Sequence, residues 1–193
     1  MDRNPAAPGR SLPTTASVDA SRRSTMGSLS WHRSALMDIT IEPLHQHPQL
    51  RPAVAQLIYD EFWTHDPDAS PAWMEGRLSE AADHARLPLS LVAMADGAMV
   101  GTINLIDNDD DKRPHLWPWL AALAVVPAWR NRGVGSQLVN ALLQAAAALD
   151  IDTVYFGTDG PGFYQRLGAV VHEQVSLTFC VMRFDAVKAR QPS

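Results

Sequence analysis

The stretch Trp119-Leu120-Ala121-Ala122-Leu123-Ala124-Val125-Val126 is apolar at every position. A strand with one wet face alternates, so a continuous run predicts a strand covered on both faces. Pro127-Ala128-Trp129 ends it, and Arg130-Asn131-Arg132-Gly133-Val134-Gly135-Ser136 leads without a linker into an Ala- and Leu-rich segment. Val134, Leu138, Leu142, Ala145 and Leu149 share one face there, which predicts a helix over Gly133 to Leu149. A buried strand turning directly into an amphipathic helix points to a mixed α/β fold.

The remaining pattern agrees. Ile39 and Ile41 alternate in a first strand, and Pro48 to Trp63 carries Leu50, Val54, Leu57, Ile58 and Phe62 at helical spacing. A second helix is predicted over Pro71 to Arg86, with Ser70 as N-cap and Pro71 in the first turn. Leu89 to Ala95 and Met99 to Ile106 read as strands joined by Asp96-Gly97, two residues that tolerate positive φ and so close a tight hairpin. Asn108 to Arg113 reads as a charged loop. Asp152 to Gly157 is a short strand, Gly160 to Leu167 a short helix with Gly168 as left-handed cap, and Ala169 to Val171 and Val175 to Phe184 late strands. One domain is therefore expected over residues 37–185.

Residues 1–36 are rich in Pro, Ser, Thr, Ala and Arg without apolar periodicity, which predicts a disordered tail; residues 186–193 form a polar C-terminal tail. The Arg- and Ser-rich character also loosely fits a transit peptide, and Met37 opens a fresh start. No apolar stretch of a secretory signal occurs, and none approaches the roughly 18 residues of a membrane span. The single cysteine, Cys180, excludes an internal disulfide framework and any multi-cysteine metal site. A cytoplasmic protein without membrane attachment is expected. The net charge is −5, yet residues 1–36 hold five arginines against Asp2 and Asp19, so the body is more acidic than the whole. That balance speaks against nucleic acid and for a cationic small partner.

The turn after the buried strand is built for phosphate. Two glycines allow close backbone approach, the first amides of the helix are free, and the helix dipole and two arginines add positive potential. No Gly-x-x-x-x-Gly-Lys-Ser/Thr loop exists, and position 138, where a dinucleotide fingerprint places its third glycine, is Leu. What stands here is Arg-x-x-Gly-x-Gly: Arg130, Gly133 and Gly135.

This segment resembles motif A of the GCN5-related N-acetyltransferase (GNAT) superfamily, a Gln/Arg-x-x-Gly-x-Gly/Ala turn after a strand ending in Leu-Ala-Val. Downstream, Phe163-Tyr164-Gln165-Arg166-Leu167-Gly168-Ala169 is similar to the Phe-Tyr-x-x-x-Gly-Phe segment of the same superfamily, with Ala169 in place of the usual aromatic. The resemblance covers residues 39–184 and implies a central mixed, mostly antiparallel sheet flanked by helices. It implies acetyl transfer from acetyl-CoA to a primary amine of a small molecule or peptide, in a ternary complex and without metal. The pyrophosphate is expected on the turn at Arg130, Asn131, Arg132, Gly133, Val134, Gly135 and Ser136. The pantetheine arm is expected to pair with the backbone of Leu123, Ala124 and Val125, and Thr158 and Phe163 complete the implied cofactor contacts. Tyr164 matches the family's general acid, whose proton goes to the departing thiolate.

The strand departs from many relatives in having no glutamate: Trp119-Leu120-Ala121-Ala122 contains no carboxylate. Glu61 or Asp107, directly or through water, is the expected base. His115, Trp117 and Trp119 are candidates for aromatic walls around a cationic acceptor. Asp109-Asp110-Asp111 reads as a solvated loop, with attraction of a cationic acceptor as the alternative; His45 and His47 lack a third metal ligand, and Cys180 reads as a buried, inert thiol. A CoA-binding regulatory module without turnover is the alternative reading, and either a monomer or a homodimer fits.

Overall fold

The computed structural model describes residues 38–185. The expectations for tails 1–36 and 186–193 lie outside the described residues.

Seven strands form one sheet: β1 (Ile39–Pro43), β2 (Leu89–Ala95), β3 (Ala98–Ile106), β4 (Trp119–Val125), β5 (Val154–Thr158), β6 (Val170–Gln174) and β7 (Cys180–Phe184). Their order is β1-β2-β3-β4-β5-β7-β6. Every neighbouring pair is antiparallel except β4 and β5, which run parallel. Four α-helices flank the sheet: α1 (Arg51–Phe62), α2 (Pro71–Ser79), α3 (Val134–Ala148) and α4 (Pro161–Arg166).

Alternation along β2 sorts the layers. Leu91 and Ala93 face a core with Val134, Leu138 and Leu142 of α3; Val92 faces the other side, with Val54 and Ile58 of α1 and Met74 and Leu78 of α2. Gly101 of β3 permits the α3 contact. A Cβ there would stand 3.0 Å from the Ala124 carbonyl oxygen and 3.1 Å from Leu138 Cδ1, so any larger residue would push α3 off the sheet.

The hairpin turn forms as expected, with Asp96 at φ 50° and Gly97 at φ 76°. Trp73 N–H donates to Ser70 Oγ at 3.1 Å, so Ser70 caps α2, and Gly168 stands at φ 90° after α4. Three elements differ. Pro48–Leu50 winds as a 3-10 turn before α1 begins at Arg51. α2 ends at Ser79 rather than Arg86: Ser79 Oγ turns back to donate to the Gly76 carbonyl at 2.6 Å, and from there the chain leaves the helix. β7 begins only at Cys180, because Val175 and Ser176 N–H groups both donate to the Phe179 carbonyl and make a turn of residues 175–179.

Candidate active site

Two irregularities of β4 make the site. The first is its divergence from β5. Parallel pairing is confined to Trp119 opposite Tyr155, with Tyr155 N–H donating to the Pro118 carbonyl at 2.9 Å. Beyond that point the strands splay. Val126 N–H donates to the Val100 carbonyl on the β3 side, so by alternation the Val125 carbonyl faces the β5 side. Arg130 Nε donates to that carbonyl at 3.0 Å, and Arg130 Nη2 meets Glu61 Oε2 at 2.7 Å.

At the end of the splay, Gly133 takes φ 83° and starts α3 with no side-chain cap. Gln137 N–H is the first to reach an acceptor inside the helix, the Gly133 carbonyl at 3.1 Å. The amides of Val134, Gly135 and Ser136 therefore precede the intrahelical ladder and concentrate positive potential. Asn131 also holds a left-handed φ of 61°, and the Arg132 guanidinium lies 5.1 Å from the centre of the Trp129 ring. Phe163 of α4 closes the opposite side: a Cβ at Gly135 would meet its Cζ at 3.4 Å and Leu123 Cδ2 at 4.0 Å. Turn, strand end and α4 thus converge on one place.

Tyr164 follows Phe163 into the interior. Its ring is fully buried, 4.3 Å from Phe156 and 4.9 Å from Phe163 between centroids, and its hydroxyl has no hydrogen-bond partner. Burial, then the nearby Asp159 charge, pushes the phenol well above its ordinary value, so it holds its proton at neutral pH. Thr158 is buried too, and its hydroxyl oxygen accepts Gly160 N–H at 2.9 Å, shaping the entry to α4.

The second irregularity is a bulge. Thr102 pairs with Ala124 and Asn104 with Ala121, so Ala122 and Leu123 oppose Ile103 alone; Ala122 sits at φ 49°. A cleft of about 310 Å³ opens against this bulge. Ala121 and Ala122 form one wall, Trp63 and Trp73 another, and Asp107 and Asp109 a third. The two indoles meet edge to face at 5.6 Å. Ser90 Oγ donates to Asn104 Oδ1 at 2.5 Å, a buried pair that also borders the cleft.

The sequence matches the Acetyltransferase (GNAT) family over residues 54–169. The chain belongs to the GNAT acetyltransferase family. The solved structures agree with the fold. Among them, the putative acetyltransferase yncA from Salmonella typhimurium with acetyl-CoA aligns at TM-score 0.62 and 15% identity, covering 80% of this chain and 98% of that one. An aminoglycoside 6'-N-acetyltransferase complexed with coenzyme A aligns at TM-score 0.62 and 17% identity, covering 80% and 99%. An acyl-CoA N-acyltransferase from Pseudomonas aeruginosa aligns at TM-score 0.55 and 25% identity, covering 76% and 98%. No curated protein sequence matches this one.

Within this GNAT fold the candidate bases part company. Asp107 borders the cleft and accepts Trp117 Nε1 at 3.0 Å, whereas Glu61 is ion-paired to Arg130 and is not part of the cleft wall. The aromatic wall is also not the expected one. Trp119 is buried and donates to the Leu116 carbonyl at 2.8 Å, Trp117 is half exposed, and the indoles on the cleft are Trp63 and Trp73. Both flank the α1–α2 connection, and no local motif marks them. The acidic loop is not uniformly solvated: Asp110 is buried against Arg113 at 2.5 Å, because that guanidinium also reaches Glu173 at 2.6 Å and ties the loop to β6. Cys180 is buried, its thiol pushed up by burial, with Sγ 3.7 Å from the Thr158 carbonyl. Among the described residues no three His, Cys, Asp or Glu side chains cluster as metal ligands, and no helix is long and apolar enough to cross a membrane.

Proposed function

We propose that the protein transfers an acetyl group from acetyl-CoA to a primary amine by direct attack in a ternary complex. The observation that carries this reading is the splay of β4 from β5 beside an uncapped helix start, with the Tyr164 hydroxyl buried and unpartnered alongside. The amides of Val134, Gly135 and Ser136 suit a pyrophosphate, and the outward backbone of Leu123 with the N–H of Val125 suits an extended amide-bearing arm, which would satisfy it as an added strand does. Arg130 already holds the Val125 carbonyl. In this reading it stiffens the strand end, and the helix amides carry the phosphate.

Bound acetyl-CoA supplies the thioester. An aliphatic ammonium with a pKa near ~10.4 must lose a proton before it can attack, and a thiolate with a pKa near ~8.5 leaves more readily once protonated. Tyr164 is the proton donor: a phenol that keeps its proton at neutral pH and has no internal acceptor is free to give it to sulfur. The amine's proton departs toward the acidic wall of the cleft, since β4 offers only Ala121 and Ala122 there.

The test is a panel of primary amines with acetyl-CoA, following free thiol. Amine-dependent thiol release supports turnover. Tight acetyl-CoA binding with no release across the panel favours a CoA-binding module, the reading that the carboxylate-free β4 leaves standing.

A further inference from the structure

Three acids and one cation face the cleft: Glu80, Asp107 and Asp109 against Arg77. They are not equivalent. Glu80 stands 3.9 Å from Arg77. Asp107 accepts the Trp117 indole N–H. Asp109 makes no hydrogen bond and no ion pair, although it is half-buried. Its neighbour Asp110 turns inward to Arg113, and Glu173 holds the same guanidinium, so that cation is engaged elsewhere. The loop itself is stiff. Asp110 N–H donates to Asn108 Oδ1 at 3.0 Å, Lys112 N–H to Asp110 Oδ1 at 2.9 Å, and Arg113 N–H to the Asp110 carbonyl at 2.8 Å. Asp109 thus lines the same cavity as Trp63 and Trp73, which also reaches the β4 bulge.

An unpaired carboxylate on an aromatic-lined wall is a site for a cation with an apolar body. We propose that Asp109 is the base that receives the acceptor's ammonium and takes its proton, and that the acceptor is a primary amine carried on a flat apolar group that packs against Trp63 and Trp73. The assignment rests on the acetyltransferase reading above. The step balances. The acceptor enters as an ammonium; one N–H bond breaks and an O–H bond forms on Asp109. The neutral amine attacks the thioester carbonyl carbon, and the C–S bond breaks as Tyr164 protonates sulfur. The second nitrogen proton restores Tyr164, and the proton on Asp109 passes to water, leaving an amide, a thiol and one released proton.

The setting suits a base that ionises as the pH rises past neutrality. Burial first, and the adjacent Asp110 charge second, push the Asp109 carboxyl up to about 8. The other titratable or charged groups on the cleft are Arg77 of α2, Glu80 just past the end of α2, and Asp107; Asp110, Asp111, Lys112 and Arg113 follow Asp109 in its own loop, and α1, β2, β3 and β4 contribute only uncharged side chains to the cleft.

The test uses the full chain with acetyl-CoA and 2-phenylethylamine, and ethylamine for comparison. Asp109→Asn should lower kcat/KM for 2-phenylethylamine about 10²–10⁴-fold at pH 7. The loss should shrink as the pH approaches 10, where the free amine supplies its own lone pair, and Asp109→Glu should recover part of the activity. Acetyl-CoA affinity by calorimetry should be unchanged in both variants. The wild type should prefer 2-phenylethylamine over ethylamine at least tenfold in kcat/KM. A loss that is equal at every pH, or absent at pH 7, overturns Asp109 as the base. Equal use of the two amines overturns the substrate class. Failure of the wild type to bind acetyl-CoA overturns instead the acetyltransferase reading beneath both.

Discussion

Arg130 and Glu61 meet at 2.7 Å across 69 residues of sequence, joining the glycine turn to the last turn of α1. The same guanidinium holds the Val125 carbonyl at the mouth of the splay. One side chain therefore ties the helix that borders the acceptor cleft to the strand end expected to carry the cofactor arm.

That arrangement separates a positioning role for Glu61 from a basic one. Glu61→Gln removes the charge and leaves Arg130 on Val125. The pair is partly exposed, so its loss should cost no more than about 1 kcal/mol, or roughly 2–4 °C in Tm for a chain of this size. The turnover number should stay within a few-fold of wild type, and the pH profile of kcat should not move. A fall of 10²-fold or more in kcat with a shifted profile would return Glu61 to the list of bases.

The two turn glycines serve different needs, and substitution should tell them apart. Gly133 needs its left-handed backbone, so Gly133→Ala should destabilise by about 1–2 kcal/mol despite open space around the Cβ. Gly135 has ordinary backbone geometry, and a Cβ there makes only van der Waals contact with Phe163 and Leu123. Gly135→Glu should keep the fold, since an acid in the first turn of α3 suits the helix dipole. It should still abolish acetyl-CoA binding by placing a carboxylate where phosphate is expected. Calorimetry on the folded variant decides the matter, and unchanged affinity would move the phosphate site elsewhere.

Local chemistry explains which parts of the structure were legible in advance. Asp96-Gly97, Ser70-Pro71, Gly168 and the apolar run of β4 are short-range signals, and each marks its turn, helix start, helix end or strand where expected, although α2 stops at Ser79, well short of Arg86. The bulge was not legible, because Ala122 carries no mark of a left-handed conformation; it arises from the pairing of β3 with β4. The cleft was not legible either. Trp63, Trp73 and Asp109 come from three separate segments, and only the packing of α1 and α2 on the sheet brings them to one cavity. Asp110 looked like its neighbours until Arg113 and Glu173 closed around it.

Tyr164 allows function and stability to be read in opposite directions. Its hydroxyl is buried and makes no hydrogen bond, so Tyr164→Phe removes an unsatisfied polar group and keeps the ring packed on Phe156. Stability should be unchanged or rise by about 1 kcal/mol. The turnover number should fall about 10²–10⁴-fold with little change in acetyl-CoA affinity, because the lost interaction belongs to the transition state. A variant that melts earlier while keeping near-normal turnover would make Tyr164 a packing residue only.

Asp109 should leave a second trace, in stability against pH. A carboxyl whose folded pKa is raised binds its proton more tightly in the folded chain than in the unfolded one. Its stabilising contribution is complete below the unfolded value near ~3.9 and is lost as the pH climbs through about 8. Asparagine does not ionise, so Asp109→Asn escapes that loss. Variant and wild type should therefore differ least in Tm near pH 4. The variant should gain on the wild type steadily up to pH 8, and the gap should level off above pH 9. Burial is the first cause of the shift, so added salt should leave most of the gap in place; only the smaller part due to Asp110 should be screened. A gap that stays constant from pH 4 to pH 9 would mean that Asp109 titrates as an ordinary surface acid, and the cleft would then have no poised base on that wall.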